Sequence, residues 1–190
     1  HPVGMVYADG GPTNIRVSAG GTLFAYDGRE WQSPLVGAHQ AANGAMTLAT
    51  LRTLPERFRP TNDVAAAGLR QVVLPGRFQR SGRYLFDVAH NPAGALVLAD
   101  ALRAVRPDAP VVALLSVLGD KDWRGVMDAL APVVDSFVLT VAPTSPASRT
   151  WSLPEPLAYA RERGWNAVVH RDFDRALVRA AEMGATVLAT

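Results

Sequence analysis

The run Val111-Val112-Ala113-Leu114-Leu115-Ser116-Val117 decides the fold, because its almost wholly apolar and β-branched character predicts a strand that is buried on both faces. Similar runs lie on both sides of it, and helical patterns separate them, such as the one that carries Leu98 and Leu102 on one face. This alternation predicts an α/β domain with a mostly parallel sheet. The other strand candidates here are Gln71–Leu74, Tyr84–Val88, Phe137–Val141, Ala167–Val169 and Thr186–Ala189.

The chain before this domain has a different pattern. A helix is predicted over His39–Leu54, and the polar stretch Glu56–Gly68 predicts a linker that could act as a hinge. We therefore expect two parts, residues 1–60 and a Rossmann-like α/β domain over residues 61–190. Gly-Gly and Asp-Gly pairs, which favour hairpin turns, border two predicted strands in the first part, Ile15–Val17 and Leu23–Tyr26.

The composition is that of a chain that can form a core and has little net charge. Apolar side chains make up 48% of the 190 residues. Nineteen basic and 17 acidic residues leave a net charge of +2, too little to attract a nucleic acid or a membrane by bulk charge. Cysteine is absent, which excludes disulfides and thiolate ligands. No apolar run has the length of a membrane span, and we expect a cytoplasmic protein.

Both ends of the sequence have the character of β-strands. The chain begins at His1, without an initiator Met, and closes with the apolar run Ala185–Thr190. Natural domains rarely end inside a strand. We therefore expect a piece of a longer protein.

The first cluster of polar residues, Gly37-Ala38-His39-Gln40-Ala41-Ala42-Asn43, leads into the predicted helix. His39 and Asn43 are four positions apart and therefore share a helical face. A side-chain amide can pair with a purine edge through one donor and one acceptor, so Asn43 is a candidate ligand residue. The alternative, which the spacing by itself favours, is a helix start with ordinary polar residues in its first turn.

The second cluster is Leu74-Pro75-Gly76-Arg77-Phe78-Gln79. Pro75 and Gly76 predict a turn directly after a strand, which places Arg77 at the carboxyl end of that strand. A guanidinium in that position can make a bidentate contact with phosphate. Arg80 and Arg83 extend the positive run, but a solvated loop explains them better than a nucleic-acid site does.

The third cluster is Phe86-Asp87-Val88-Ala89-His90-Asn91-Pro92, where an apolar strand runs into a predicted helix start. Open α/β sheets bind ligands at the carboxyl ends of their strands. Asp87 could accept hydrogen bonds from ribose hydroxyls there, and His90 could bind or orient an anionic substrate. The alternative is that Asp87 and Asn91 merely cap the helix.

Two further loops follow predicted strands. Lys121 is the only lysine in the sequence and could contact a carboxylate or a phosphate, while Asp122 could cap the next helix. The loop Ser145–Arg149 could supply another anion contact, although an ordinary turn explains it equally well. His170, between a strand and a helix, is expected to be structural.

Several catalytic motifs are missing from the sequence. It has no G-x-x-x-x-G-K-[ST] phosphate loop and no G-x-G-x-x-G dinucleotide fingerprint. It has no G-x-S-x-G nucleophile elbow and no H-E-x-x-H zinc motif. Its four scattered histidines do not predict a metal site.

Together the three clusters resemble folylpolyglutamate synthase/dihydrofolate synthase, the folate branch of the Mur ligase family. The resemblance rests on G-x-H-Q-x-x-N at 37–43, L-P-G-R-F-Q at 74–79 and D-V-A-H-N-P at 87–92. The segment L-G-D-K-D at 118–122 is similar to a further family segment. The order and spacing agree over almost the whole chain.

The resemblance implies an ATP-dependent ligase that joins L-glutamate to a folate or dihydropteroate carboxylate, in folate biosynthesis and one-carbon metabolism. It implies that Asn43 contacts adenine, Arg77 the phosphates and Asp87 the ribose, with Arg77 and His90 as catalytic residues. His90, Asn91 and Lys121 would bind the amino-acid substrate. The phosphate loop and the Mg²⁺ ligands would lie upstream of His1, so this piece alone would be inactive. A monomer with small-molecule substrates is expected.

Two other functions remain open at this point. One is a Mur-type ligase that adds an amino acid to a cell-wall precursor, and the other is a non-catalytic nucleotide-binding module with a Rossmann-like fold. The resemblance also implies that residues 1–60 are the end of the central domain and residues 61–190 the C-terminal domain of a Mur ligase.

Overall fold

A computed structural model describes residues 10–190, so the strand expected near His1 lies outside the described residues. The chain divides into two compact units, His1–Pro75 and Gly76–Thr190. The predicted α/β class is confirmed, since the larger sheet is mostly parallel and helices alternate with its strands. Among the helices between residues 10 and 190, none is long and apolar enough to cross a membrane.

The N-terminal unit is a three-stranded antiparallel sheet with two helices. Strand β3 was not predicted because Trp31 is its only large apolar residue, yet that side chain is only 2% exposed. The elements are β1 (Thr13–Ser18), β2 (Gly21–Tyr26), β3 (Arg29–Ser33), α1 (Ala38–Arg52) and α2 (Asn62–Arg70). Their core consists of Phe24, Tyr26, Trp31, Ala41, Ala45, Leu48 and Ala66.

Helix α2 occupies much of the stretch that the sequence predicted to be a linker, and that prediction is wrong for residues 62–68. The Thr61 hydroxyl caps the helix by accepting a hydrogen bond from the Val64 amide at 3.4 Å. Ala66 is only 6% exposed and packs in the core of the N-terminal unit. Because α2 belongs to that core, the compact units divide after Pro75 and not near the expected boundary at residue 60.

The prediction of a strand over Gln71–Leu74 is also wrong. These residues lie in no strand, and the Val73 side chain is 81% exposed. The apolar pair Val72-Val73 has a strand-like composition, but a strand forms only where a neighbour accepts its backbone hydrogen bonds.

Proteolysis is expected to begin between α2 and the C-terminal unit. Trypsin should cut first after Arg70, which is exposed at the end of α2, and the amides of residues 71–75 should exchange faster than those of α2. Limited trypsinolysis followed by mass spectrometry, with amide hydrogen exchange, tests this. First cuts after Arg57, with α2 exchanging as fast as residues 71–75, would contradict it.

The C-terminal unit is a six-stranded sheet in the order β4-β5-β9-β6-β7-β8. All neighbouring pairs are parallel except β4 with β5. The elements are β4 (Gln79–Ser81), β5 (Tyr84–Phe86), α3 (Pro92–Val105), β6 (Val111–Leu115), α4 (Trp123–Leu130), β7 (Ser136–Leu139), α5 (Pro154–Glu162), β8 (Ala167–Val169), α6 (Phe173–Met183) and β9 (Thr186–Ala189).

The order of the strands determines where the helices lie. From β5 through β8 the chain moves across the sheet in one direction, and then β9 returns to lie between β5 and β6. Since crossovers between parallel strands are right-handed, α6 must cover the face opposite α3, α4 and α5. Val112 and Leu114 of β6 accordingly pack with Ala176 and Ala180 of α6. With both faces covered, the loops at the carboxyl ends of the strands are where a ligand can bind.

Candidate functional site

The carboxyl ends of the parallel strands form one hydrogen-bonded edge. The Asp87 amide donates to the Ala189 carbonyl at 3.1 Å, and the Ser116 amide donates to the Thr190 carbonyl at 3.1 Å. The Ala142 amide donates to the Ser116 Oγ at 2.9 Å. These bonds join the ends of β5, β9, β6 and β7. The predicted site residues of this unit lie along this edge: Arg77, Asp87, His90, Asn91 and Lys121.

Arg77 lies beside the end of β5, although the strand that was predicted to lead into it does not form. The Val88 amide donates to the Gly76 carbonyl at 3.0 Å, and the Phe78 amide donates to Asp87 Oδ2 at 2.9 Å. Arg77 thus reaches the carboxyl edge because β4, which follows it, runs antiparallel to β5. Its side chain is exposed, and its guanidinium makes no hydrogen bond or ion pair with any residue between 10 and 190.

The turn that carries Arg77 requires glycine at position 76. Gly76 has a φ of 69°, and a Cβ atom there would lie 2.8 Å from Cγ1 of Val88. The Gly76 amide donates to Oε1 of Gln79 at 3.0 Å. Phe78 also has a positive φ, 49°, and its ring is only 8% exposed. Sequence reasoning assigned no role to Gln79, although it lies in the same motif and carries an acceptor three residues after Gly76.

Asp87 binds backbone amides on both sides of the site. Its Oδ1 accepts from the Ala89 amide at 2.9 Å, and its Oδ2 accepts from the Phe78 amide. The alternative that Asp87 caps α3 is therefore wrong. Asn91 is the cap, because its Oδ1 accepts from the Gly94 amide at 2.8 Å. Each carboxylate oxygen of Asp87 retains a second lone pair that can accept a hydroxyl group.

The hydrogen bond of His90 determines which ring nitrogen carries a proton. Nδ1 lies 3.0 Å from the Val88 carbonyl oxygen, which can only accept, so Nδ1 carries the hydrogen. In the neutral ring, Nε2 is then the nitrogen with the lone pair. The side chain is exposed, so Nε2 is accessible to a substrate.

Lys121 lies in a loop that an ion pair joins to the loop after β7. The Arg149 guanidinium contacts both Asp120 oxygens, with Nη2 2.8 Å from Oδ2, and the Gly119 amide donates to the Arg149 carbonyl at 2.7 Å. Arg149, a predicted anion contact, is therefore paired within the protein. The Lys121 ammonium makes no hydrogen bond or ion pair within residues 10–190.

The stability of this loop pair is expected to decrease in acid. The hydrogen bond from Arg149 holds the pKa of Asp120 below the usual aspartate value of 3.8. Because the pKa of Asp120 is lower in the folded protein than in the unfolded chain, its pairing with Arg149 contributes fully to the free energy of unfolding above pH 3.8. This contribution disappears as the pH falls through the pKa of the folded protein. Both side chains are exposed, so the effect is small. Chemical denaturation of the protein and its Asp120→Asn variant between pH 2 and pH 6 should show converging stabilities in acid, and a constant difference would contradict this.

Asn43 belongs to the N-terminal unit, on the exposed side of α1. Its Nδ2 donates to Oε1 of Gln40 at 3.0 Å, and Nε2 of Gln40 lies 2.8 Å from Nε2 of His39. Gln40 is only 5% exposed, so its amide is held in place and orients Asn43. Gln40 lies within the motif, but this role was not predicted from the sequence, since the burial of Gln40 depends on tertiary packing. The Thr22 hydroxyl positions the start of α1 by accepting from the Gly37 amide at 3.1 Å.

Residues 10–190 contain no group of three or more His, Asp or Glu side chains that could hold a metal ion. The residues between 10 and 190 therefore do not fit a magnesium site.

The described geometry defines a class of protein: an α/β domain whose sheet carries at its carboxyl edge, where open α/β sheets bind ligands, two cations without partners among residues 10–190, Arg77 and Lys121. Residues 76–190 match the family described as Mur ligase, glutamate ligase domain, and the chain belongs to this family.

The chain is similar to proteins of the folate branch, which the sequence motifs also resemble. It is 41% identical over 113 residues to the dihydrofolate synthase/folylpolyglutamate synthase of Mycobacterium tuberculosis, a match of 56% of this chain and 23% of the relative. The M. tuberculosis folylpolyglutamate synthase solved with ADP and AMPPCP superposes with a TM-score of 0.79 at 30% identity, over 94% of this chain and 44% of that one.

A third protein is the bifunctional folylpolyglutamate synthase/dihydrofolate synthase solved with Mn, AMPPNP and L-glutamate. It superposes with a TM-score of 0.65 at 26% identity, over 93% of this chain and 42% of that one. The chain therefore spans less than half the length of the proteins it matches.

Proposed function

We propose that this chain is the C-terminal part of an ATP-dependent ligase that joins L-glutamate to the carboxylate of a folate or of dihydropteroate. The observation that carries the proposal is the exposed Arg77 guanidinium, which has no partner among residues 10–190 and lies on a turn that the Phe78–Asp87 hydrogen bond ties to the carboxyl edge of the sheet. That related proteins were solved with nucleotides, and one with L-glutamate, supports the same substrates.

In this proposal, the N-terminal unit is the end of the Mur ligase central domain and the C-terminal unit is the glutamate ligase domain. The phosphate loop and the ligands of a divalent ion such as Mg²⁺ would be supplied by sequence upstream. A bound divalent ion would neutralise charge on the nucleotide phosphates. We expect the ligase to act in the cytoplasm as a monomer.

The proposed reaction has two steps. The acceptor carboxylate attacks the γ-phosphorus of ATP, which forms an acyl phosphate and releases ADP. The glutamate amine then attacks the acyl carbon, and the tetrahedral intermediate collapses to the amide with release of phosphate and a proton. Arg77 stabilises the charge on the phosphoryl group as it moves, because the hydrogen-bonded turn holds its backbone near the place where that charge develops.

The other site residues bind and orient the substrates. Asp87 accepts hydrogen bonds from the ribose hydroxyls through its remaining lone pairs, and Asn43 pairs with the adenine edge. The Lys121 ammonium binds a glutamate carboxylate. His90 and Asn91 lie at the start of α3, where the His90 Nε2 and the Asn91 Nδ2 contact the same amino acid.

The test is a ligase assay on the full-length protein that contains this chain. ATP, L-glutamate and either dihydropteroate or a reduced folate should give phosphate release and a glutamylated product. The 190-residue chain alone should give neither, because its sequence has no phosphate loop. Turnover with UDP-linked cell-wall precursors would favour the other branch of Mur ligases. Nucleotide binding without product formation on any acceptor would favour the non-catalytic module.

A further inference from the structure

We propose that Gln79 is a positioning residue that, together with Asp87, holds the turn carrying Arg77 in the geometry that phosphate binding requires. The structural part of this inference stands on hydrogen bonds alone. Its catalytic part rests on the proposed function, so the two are tested by separate measurements.

The turn is anchored on both sides of Arg77. Before it, the Gly76 amide donates to Oε1 of Gln79 at 3.0 Å and the Gly76 carbonyl accepts from Val88 at 3.0 Å. After it, the Phe78 amide donates to Asp87 and the Phe78 ring is buried. Both neighbours of Arg77 are therefore held in place, while the Arg77 side chain has no partner among residues 10–190.

The Gln79 side chain supplies an acceptor that the backbone lacks at this point. Gly76 and Phe78 both have positive φ angles, so the turn belongs to no regular element whose ladder could accept the Gly76 amide. Gln79 is exposed and opens β4, where its main chain pairs with Phe86. Its side chain can therefore be changed without disturbing the core.

Holding Arg77 in advance has a physical consequence for catalysis. A guanidinium on a free turn must lose its conformational freedom when phosphate binds, and a displacement of about 1 Å from the productive position can cost about a hundredfold in rate. An anchored turn avoids this loss.

The structural measurement is amide hydrogen exchange, read by NMR on the 190-residue chain. Gln79→Met keeps the length of the side chain but removes the acceptor, and it should lower the protection of the Gly76 amide about tenfold. Gln79→Glu retains an acceptor and should restore the protection. Gln32→Met, on the exposed side of β3, is the matched control and should leave Gly76 unchanged.

The kinetic measurement is a double-mutant cycle in the full-length ligase. Gln79→Met alone should lower kcat about tenfold with little change in the melting temperature. In an Arg77→Ala background the same change should have almost no further effect, because a residue that acts through Arg77 has nothing left to position. Gln79→Glu is left out of this cycle, since its charge would attract Arg77.

Unchanged Gly76 protection in Gln79→Met would overturn the inference, whatever the enzyme does. If Gln79→Met lowers the protection of the Gly76 amide, but its effect on kcat adds to that of Arg77→Ala, Gln79 does not act by positioning Arg77. If exchange responds as expected but the full-length protein ligates no acceptor, the anchored turn stands and the proposed function fails.

Discussion

Replacing Arg77 by alanine in the full-length ligase is expected to lower kcat about a hundredfold, equivalent to about 2.7 kcal/mol of transition-state stabilisation. The structure leaves the Arg77 guanidinium exposed and without a partner among residues 10–190, so its removal should cost little folding stability. Phosphate-release kinetics at saturating ATP and glutamate, together with a melting temperature, measure both quantities.

Two further variants sharpen this prediction. Arg77→Lys should recover only part of the rate, because an ammonium is a point charge and cannot reproduce the two parallel hydrogen bonds of a guanidinium. Arg106→Ala is the matched control, since Arg106 is also exposed but follows α3 on the amino side of β6. Near-normal kcat and a normal KM for ATP in Arg77→Ala would remove Arg77 from the site.

Replacing Asp87 by alanine is expected to raise the KM for ATP and also to lower kcat. A residue that only contacts the ribose would change KM alone, since such a contact differs little between ground and transition states. Asp87, however, also accepts the Phe78 amide that anchors the Arg77 turn. Its loss should leave that amide and the Ala89 amide without acceptors, which lowers the free energy of unfolding by about 1–3 kcal/mol.

The measurements for Asp87 are steady-state kinetics over a range of ATP concentrations and urea denaturation of the same preparation. Asp100→Ala is the control, because that exposed carboxylate pairs with Arg103 on the surface of α3. A higher KM with unchanged kcat and unchanged stability would show that Asp87 acts on the nucleotide only and does not hold the turn.

Sequence patterns predicted elements where composition and environment agree. Strands β8 and β9 have the predicted bounds because each is a short, mostly apolar and β-branched run. Strands β3 and β4 were missed, since Arg29–Ser33 and Gln79–Ser81 are polar and become strands only by pairing with a neighbour. Gln71–Leu74 has the opposite properties, with an apolar composition and no partner strand.

The same distinction applies to the site. The motifs of the sequence identified Arg77, Asp87, His90 and Lys121 as candidates, and the structure places all four at the carboxyl edge of one sheet. The sequence did not show that Arg149 pairs with Asp120, because that contact joins residues from loops after different strands.

By itself the sequence determined the α/β class, and its motifs predicted the folate branch and the candidate residues, because each depends on local pattern and residue type. Only the tertiary structure decided that Asp87 holds the Arg77 turn, that Asn91 caps α3 in its place, and that Gln79 and Gln40 orient their neighbours. The physical reason is that the hydrogen-bond partner of a polar side chain depends on which groups lie near it in space. The sequence alone leaves several partners possible for the same residue, and the order of the strands in the sheet decides among them.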